Sequence, residues 1–148
     1  MGRGLWRTVL IVVDSSAIVA IILEEPTADA LLARLALETR RLMSVASYVE
    51  TGTVLAGRSP HDPAAALEDL DAVLDATGVT LAPMDREQAE LALQARLRYG
   101  RGMGHGGRLN FGDTFAYALA RLHGAPLLFT GRDFDATDLE AALPPSQR

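Results

Sequence analysis

The sequence predicts an α/β fold built around a mostly parallel sheet, and two patterns support this prediction. Short apolar runs rich in Val, Leu and Ile alternate along the chain with longer stretches of helical periodicity, as in βαβ units. Polar residues follow the first and last of these runs, where open α/β sheets place their functional sites. A length of 148 residues suits one hydrophobic core, so we expect a single domain.

In the first half of the chain, residues that favour helix starts separate the predicted elements. Ser15 or Ser16 can cap a helix directly after the first apolar run. Pro26 suits the first turn of the next helix, and Ser44 can cap the third. The predicted elements are strands over 9–13 and 41–43 and helices over about 15–24, 26–39 and 44–56.

Residues that favour helix starts and ends also separate the predicted elements in the second half of the chain. Pro63, Asp85 and Asn110 each stand at the start of a stretch with helical periodicity, and Gly124 can end the last of these stretches. The predicted elements are strands over 79–82 and 127–129, helices that include 63–74, 85–97 and 110–123, and a glycine-rich loop over 100–107.

The composition limits the classes of function. The chain has no Cys, which excludes disulfides and thiolate metal sites and fits a cytoplasmic protein. The longest apolar run, 17–23, is too short to span a membrane, and Asp14 interrupts the signal-peptide-like start formed by Arg3, Arg7 and residues 9–13. The net charge of −5 disfavours general coating of nucleic acid but not a nuclease, because catalytic carboxylates themselves lower the charge.

Four acidic residues stand beside apolar runs, where a stray surface charge is not expected. Asp14 follows the first strand, Glu50 lies in the third helix, Asp113 lies near the start of the last helix, and Asp133 follows the last strand. Carboxylates that meet in a partly dry cleft repel one another unless a cation joins them. The pattern therefore suggests a divalent metal site and phosphodiester chemistry.

Each acid also has a structural interpretation. Asp14 could cap the first helix, Asp113 could stabilise the dipole of the last helix with Asn110 as its cap, and Asp133 could form a turn. Glu50 could be solvated, because a helical wheel separates it from the apolar face formed by Val45, Tyr48 and Val49. Two neighbours could replace Asp133 as the fourth acid, namely Asp135 and Asp138.

Four sequence blocks carry a family resemblance. They are VVDSSA at 12–17, SxxSYxE at 44–50, LNFGDxxAYA at 109–118 and LLFTGxDF at 127–134. Together they resemble the PIN domain, and most closely the VapC toxins of VapBC toxin–antitoxin pairs. The resemblance extends from Val9 to about Leu139, and the third and fourth blocks are its most specific part.

The resemblance implies a three-layer fold with 4–5 mostly parallel strands and a Mg²⁺-dependent endoribonuclease, with Mn²⁺ as a substitute ion. It implies cleavage of RNA of the tRNA or rRNA class to 5′-phosphate and 3′-hydroxyl products, a cognate VapB-type antitoxin and a homodimer. Residues 1–8 would be an N-terminal extension and 140–148 a candidate flexible tail. The implied catalytic and metal-binding residues are Asp14, Glu50, Asp113 and Asp133, with Ser16, Thr130 and Asn110 in support.

An arginine-rich segment is the candidate RNA-binding surface. Arg98, Arg101 and Arg108 lie in or beside the glycine-rich loop, in a stretch without acidic residues. Arginine supplies charge for phosphate, and glycine allows close approach of the backbone. The alternative is a solvated helix end followed by a mobile loop.

Other functions fit the residues less well. A haloacid-dehalogenase-type phosphatase would need an Asp at the position of Ser16, and a response-regulator receiver domain would need a late Lys, which this chain lacks. A catalytically silent PIN-like module that binds RNA or protein remains the alternative from a different class. Metal-dependent cleavage of RNA distinguishes it from a nuclease.

Overall fold

Four parallel strands form the central sheet, in the spatial order β3-β2-β1-β4. The computed structural model describes residues 10–148, so Val9 and the predicted extension over 1–8 lie outside the described residues. The prediction of a parallel α/β fold is confirmed, with four strands. These are β1 (Leu10–Val13), β2 (Arg40–Ser44), β3 (Val79–Ala82) and β4 (Leu127–Leu128).

Helices cover both faces of this sheet and make three layers. Along β1, Ile11 and Val13 join the core on one face, whereas Leu10 and Val12 join the core on the other, as expected for a strand buried on both sides. Within residues 10–148, no helix is long and apolar enough to cross a membrane. The helices are α1 (Ser15–Ile22), α2 (Ala28–Ala36), α3 (Val45–Arg58), α4 (Pro63–Thr77), α5 (Arg86–Tyr99) and α6 (Asp113–His123).

Side chains cap the starts of several helices. Ser44 Oγ accepts a hydrogen bond from the Ala46 amide at 3.2 Å, and Asp85 Oδ1 accepts one from the Gln88 amide at 2.9 Å, so both predicted caps are confirmed. The prediction that a serine caps α1 is wrong. Asp14 is the cap, and it accepts from the Ser16 amide at 3.1 Å.

The start of α2 differs from the prediction because Pro26 belongs to a turn. A turn follows α1, with Glu24 at a positive φ of 52°, and the Glu25 amide donates to the Ala20 carbonyl at 2.9 Å. Pro26 lies in the turn that follows, and the helix begins only at Ala28. A proline restricts its own φ in a turn as well as in a first helical turn, so its presence does not distinguish the two.

The C-terminal segment, expected as a candidate flexible tail, packs against the fold through Arg148. Its Nη1 donates to the Gly131 carbonyl at 2.9 Å and to Asp135 at 2.6 Å, and its Nε donates to the Leu143 carbonyl at 3.0 Å. The guanidinium also lies 4.6 Å from the centre of the Phe129 ring. These contacts tie the chain end to the segment that follows β4.

We expect Arg148→Ala to lower the free energy of unfolding by about 1–3 kcal/mol, because it removes several hydrogen bonds of a largely buried guanidinium. Arg132→Ala is the matched control, since exposed Arg132 pairs with the same Asp135 at 3.8 Å. That change should cost less than about 0.5 kcal/mol. Urea unfolding of both variants measures the difference, and equal losses would contradict this account of the C-terminal segment.

Candidate active site

The candidate site lies at the carboxyl ends of β1 and β4, where the strand order reverses. The chain proceeds from β1 to β2 and β3 on one side and later places β4 on the other side of β1, so a crevice opens between β1 and β4. The Asp14 amide donates to the Leu128 carbonyl at 2.9 Å, and Ser16 Oγ accepts from the Thr130 amide at 3.1 Å. These bonds fix the two strand ends relative to each other.

Asp14 is buried, and half of its carboxylate has no partner. Oδ2 caps α1, but Oδ1 makes no hydrogen bond although it is inaccessible to solvent. Burial raises the pKa of Asp14 to about 6, and the negative charge of Glu50 adds to the effect, although hydrogen bonds from Ser16 oppose it. A buried acceptor without a partner is costly for the protein alone, and a bound cation would satisfy it.

Asp113 and Asn110 form a reciprocal pair at the start of α6. Asn110 Oδ1 accepts from the Asp113 amide at 2.9 Å, and Asp113 Oδ2 accepts from the Asn110 amide at 3.0 Å, the geometry of a capping box. The regular helix starts later than predicted, with Gly112 as the residue before its first turn. The pair therefore fixes Asp113 in place and occupies one of its carboxylate oxygens.

The charges of three other acids affect the pKa of Asp113. Burial raises it to about 7, against the hydrogen bond from Asn110, and the charges of Asp14, Asp133 and Glu50 raise it further. The structure thus brings the other three predicted acids within electrostatic range of Asp113. Ser16 and Thr130 also adjoin the cluster, at the two strand ends.

Glu50 faces the cluster and is not a solvated residue on a surface helix. The helical-wheel prediction for α3 is wrong, because Val49 is 64% exposed and the buried side of the helix includes Ser47 and Thr51. Half-buried Glu50 accepts a hydrogen bond from Ser15 Oγ at 2.7 Å. Ser15 could not be predicted as a site residue, because nothing local to the sequence indicates that it contacts Glu50.

Of the three candidates for the fourth acid, Asp133 is the one that contributes to the pKa of Asp113. Asp135 instead pairs with Arg148 at 2.6 Å, and Asp138 accepts from the Tyr117 hydroxyl at 2.7 Å. Asp133 lies 3.5 Å from the Nε of Arg108. The pairing leaves Arg108, predicted to bind RNA, beside the acidic cluster.

Backbone hydrogen bonds hold the two ends of the arginine-rich segment together, and the residues between them form a loop. The Leu109 amide donates to the Tyr99 carbonyl at 3.1 Å, and the Arg101 amide donates to the Leu109 carbonyl at 2.9 Å. These bonds close a loop over residues 101–108 whose glycines at 102, 104 and 106 have positive φ. Arg101 is exposed, and the Arg98 guanidinium lies 5.0 Å from the centre of the Tyr99 ring.

The carboxylate oxygens of the cluster suit a divalent cation, although they are not arranged as a complete set of ligands. Within residues 10–148, no three His, Asp or Glu side chains are arranged to hold one ion together. Mg²⁺ takes oxygen ligands and is usually held by one or two carboxylates while it retains several waters. The unpartnered Oδ1 of Asp14 and the neighbouring Asp113 carboxylate match this requirement.

Comparisons with known proteins agree with this geometry. A family profile described as the PIN domain matches residues 11–140. Ribonuclease VapC of Mycolicibacterium smegmatis is 44% identical over 130 residues, which cover 88% of this chain and 98% of that protein. Ribonuclease VapC42 of Mycobacterium tuberculosis is 42% identical over 131 residues, with the same coverage of 88% and 98%.

Solved structures share the fold at lower sequence identity. Mycobacterium tuberculosis VapC20, described as a Sarcin-Ricin loop cleaving toxin, superposes with a TM-score of 0.71 at 23% identity, over 90% of this chain and 99% of that one. A toxin–antitoxin complex from Klebsiella pneumoniae gives a TM-score of 0.64 at 17% identity, over 90% and 98% of the two chains. These similarities support the fold alone.

The raised pKa values predict how stability depends on pH. From about pH 4 to about pH 7, the folded protein holds protons on Asp113 and Asp14 that the unfolded chain has lost, so the stability of the metal-free protein should fall as pH rises. The total loss should be on the order of a few kcal/mol, since one pKa unit corresponds to about 1.4 kcal/mol.

Asp113→Asn should flatten this dependence, and at about pH 8 the metal-free variant should melt no lower than the parent, because the change removes a repelled charge and keeps the shape. Asp85→Asn is the control, because it removes the charge of an exposed cap outside the acidic cluster, and it should leave the decline that Asp14 and Asp113 cause in place. Melting curves in EDTA across this pH range provide the measurement. A variant that melts well below the parent at about pH 8 would show that Asp113 serves mainly as a helix cap.

Proposed function

The chain belongs to the PIN-domain family, among the VapC ribonucleases, and we propose that it is a single-domain, Mg²⁺-dependent endoribonuclease toxin. Its substrate is RNA of the tRNA or rRNA class, and a cognate VapB-type antitoxin neutralises it in the cytoplasm. Mn²⁺ can substitute for Mg²⁺ as the bound ion. The main support within the molecule is the buried carboxylate of Asp14, whose Oδ1 has no partner and whose neighbours are also acidic.

Asp14 and Asp113 are the proposed metal ligands. Both are buried, and the negative charge of neighbouring acids raises the pKa of each, so a bound cation would stabilise their ionised forms. Glu50 and Asp133 complete the cluster, directly or through waters of the ion. The bound ion would lower the pKa of an attacking water and neutralise charge on the phosphoryl group. No His lies in the four sequence blocks, so the proposal needs no histidine base.

The remaining site residues position these acids and the RNA. Ser16 and Thr130 hold the ends of β1 and β4 together, and Asn110 holds Asp113 through their reciprocal bonds. The residues proposed to bind phosphates of RNA are Arg108, which lies beside Asp133, exposed Arg101, and Arg98 at the end of α5. The products would carry a 5′-phosphate and a 3′-hydroxyl.

The proposed antitoxin binds the toxin through its acidic cleft. The negative charge of the four acids would attract a basic side chain that an amphipathic segment of a partner carries. A toxin–antitoxin complex and FitAcB from Neisseria gonorrhoeae are among the solved structures with this fold, the latter with a TM-score of 0.58 at 18% identity. The charge of the cleft thus favours a partner that presents a basic residue to the acids.

We also propose a homodimer, formed through an apolar face at the junction of α3, α5 and the start of α6. Phe111 is 78% exposed, and Leu93 and Leu97 are 66% and 61% exposed. Two apolar grooves, of about 500 and 330 Å³, share Phe111 and Phe115 in their walls. Contiguous apolar surface of this kind is typical of protein interfaces, and a twofold axis would bury it in both copies.

Asp14→Asn should lower the rate of RNA cleavage in Mg²⁺ or Mn²⁺ by at least about 10²-fold, the scale seen when one preorganised electrostatic group is removed. EDTA should abolish cleavage by the parent. Asp69→Asn, on the exposed side of α4, is the control and should keep full activity. Gel assays on tRNA and rRNA fragments measure the rate.

Cleavage that persists in EDTA or in the Asp14→Asn variant would contradict the metal mechanism. A folded parent that binds RNA but cleaves none with either ion would instead favour the catalytically silent module.

Arg101→Ala or Arg108→Ala should weaken RNA binding about equally for different sequences. Each change should reduce the slope of log K against log salt by roughly 0.7 if one phosphate contact to single-stranded RNA is lost. Arg86→Ala is the control, because exposed Arg86 pairs with Glu90 at 3.1 Å within α5. Fluorescence anisotropy over a salt series gives the slopes, and slopes equal to that of the parent would leave the loop with no role in RNA binding.

Leu93→Glu should convert the dimer into a monomer, because it places a charge in the proposed interface. Leu37→Glu is the matched control, since Leu37 is 74% exposed but lies at the end of α2, outside this face. Light scattering of both variants and the parent reads out the mass. A parent at monomer mass, or a Leu93→Glu variant at dimer mass, would contradict the proposal.

A further inference from the structure

The carboxylate of Glu50 lies between two elements other than its own helix. On one side, Ser15 at the start of α1 donates its hydroxyl hydrogen to Oε1 at 2.7 Å. On the other side is Gly112 at the start of α6, where the position of an added Cβ atom would overlap the carboxylate, with Oε2 as its nearest atom. The two contacts join helices that are far apart in the sequence.

Gly112 is required here for space and not for backbone conformation. Its φ of −62° and ψ of −37° are ordinary helical values that any L-residue adopts. A Cβ added at this position would overlap the Glu50 carboxylate, and all three of the nearest atoms belong to Glu50. Glycine therefore leaves the volume that the Glu50 carboxylate occupies.

Ser15 is available to bind Glu50 because another residue caps α1. The Asp14 carboxylate accepts from the Ser16 amide, so the Ser15 hydroxyl is not needed as a helix cap. Its bond to Glu50 spans 35 positions of the chain and joins α1 to α3. A hydroxyl hydrogen bonded to an ionised carboxylate is among the stronger hydrogen bonds in proteins.

The charges around Glu50 show why such contacts matter. Glu50 raises the pKa of both Asp14 and Asp113 through its negative charge, so its carboxylate is repelled by the cluster that it faces. A glutamate side chain has several rotatable bonds, and a half-buried one could turn towards solvent to relieve that repulsion. The bond from Ser15 opposes this movement, and Gly112 leaves room for the inward orientation.

We propose that Ser15 and Gly112 are positioning residues that hold the Glu50 carboxylate inward, beside Asp14 and Asp113, in the orientation that receives a divalent cation. This inference rests on the proposed function, since it assigns Glu50 a place at the metal site. Ser15 engages Oε1, which leaves Oε2, on the side of Gly112, as the oxygen for the cation or one of its waters.

The test measures Mn²⁺ affinity in the absence of RNA, by the electron paramagnetic resonance signal of free Mn²⁺. Ser15→Ala should weaken Mn²⁺ binding by about tenfold, the scale of a hydrogen bond to a charged group, and Gly112→Ala should weaken it at least as much. Ser15→Thr retains the hydroxyl and should restore most of the affinity. Circular dichroism and melting temperature establish that each variant is folded.

A double-mutant cycle separates positioning from a general structural effect. In a Glu50→Ala background, Ser15→Ala and Gly112→Ala should have almost no further effect on Mn²⁺ affinity, because both act through Glu50. Losses of the same size with and without Glu50 would overturn the inference. So would a Ser15→Ala variant that binds Mn²⁺ as tightly as the parent, although the proposed function would stand. A folded parent that binds no Mn²⁺ would overturn both.

Discussion

Electrostatic repulsion between buried carboxylates is the constraint around which the site is arranged. Asp14 and Asp113 are both nearly inaccessible to solvent, and each meets the negative charge of its neighbours. A protein alone would gain by moving such groups apart or by keeping them protonated. The fold prevents separation, because Asp14 caps α1 directly after the central strand β1 and Asp113 is fixed at the start of α6 by its pair of bonds with Asn110.

The structural and functional interpretations of these acids are therefore compatible. In Asp14, Oδ2 stabilises the helix and Oδ1 remains without a partner, so one carboxylate can serve both purposes. In Asp113, Oδ2 accepts the bond that fixes the helix start. In each residue, the hydrogen bond to one oxygen immobilises the carboxylate, so no further residues are needed to hold it. Because the carboxylate is already ordered, the entropy cost of binding a ligand is small.

Much of the architecture could be predicted from local sequence. Apolar runs predicted all four strands of the described region. Residue types that favour helix starts correctly predicted Ser44 and Asp85 as caps. One error arose where a residue type suits two local structures, as for Pro26, which lies in a turn before α2. The contacts of Glu50 with Ser15 and Gly112 could not be predicted, because they join helices whose packing depends on the whole sheet.

The acidic pattern identified the cluster but not the identity of its fourth member, since Asp133, Asp135 and Asp138 are alike in sequence. Their partners distinguish them: Asp135 binds Arg148, Asp138 binds Tyr117, and Asp133 lies near Asp113 with Arg108 beside it. Each of these pairings depends on tertiary structure. Sequence spacing alone therefore predicts the chemistry of the site more reliably than its exact membership.

A crystal structure of the protein with Mn²⁺, with anomalous diffraction used to locate the ion, would show whether the buried acids form a metal site. We expect an anomalous peak within bonding distance of Asp14 Oδ1 and in contact with the Asp113 carboxylate, directly or through a water. Crystals of an Asp14→Asn variant, prepared with Mn²⁺ in the same way, should lack this peak. Strong Mn²⁺ peaks elsewhere on the molecule, with none between Asp14 and Asp113 at saturating ion, would show that these acids do not form the metal site.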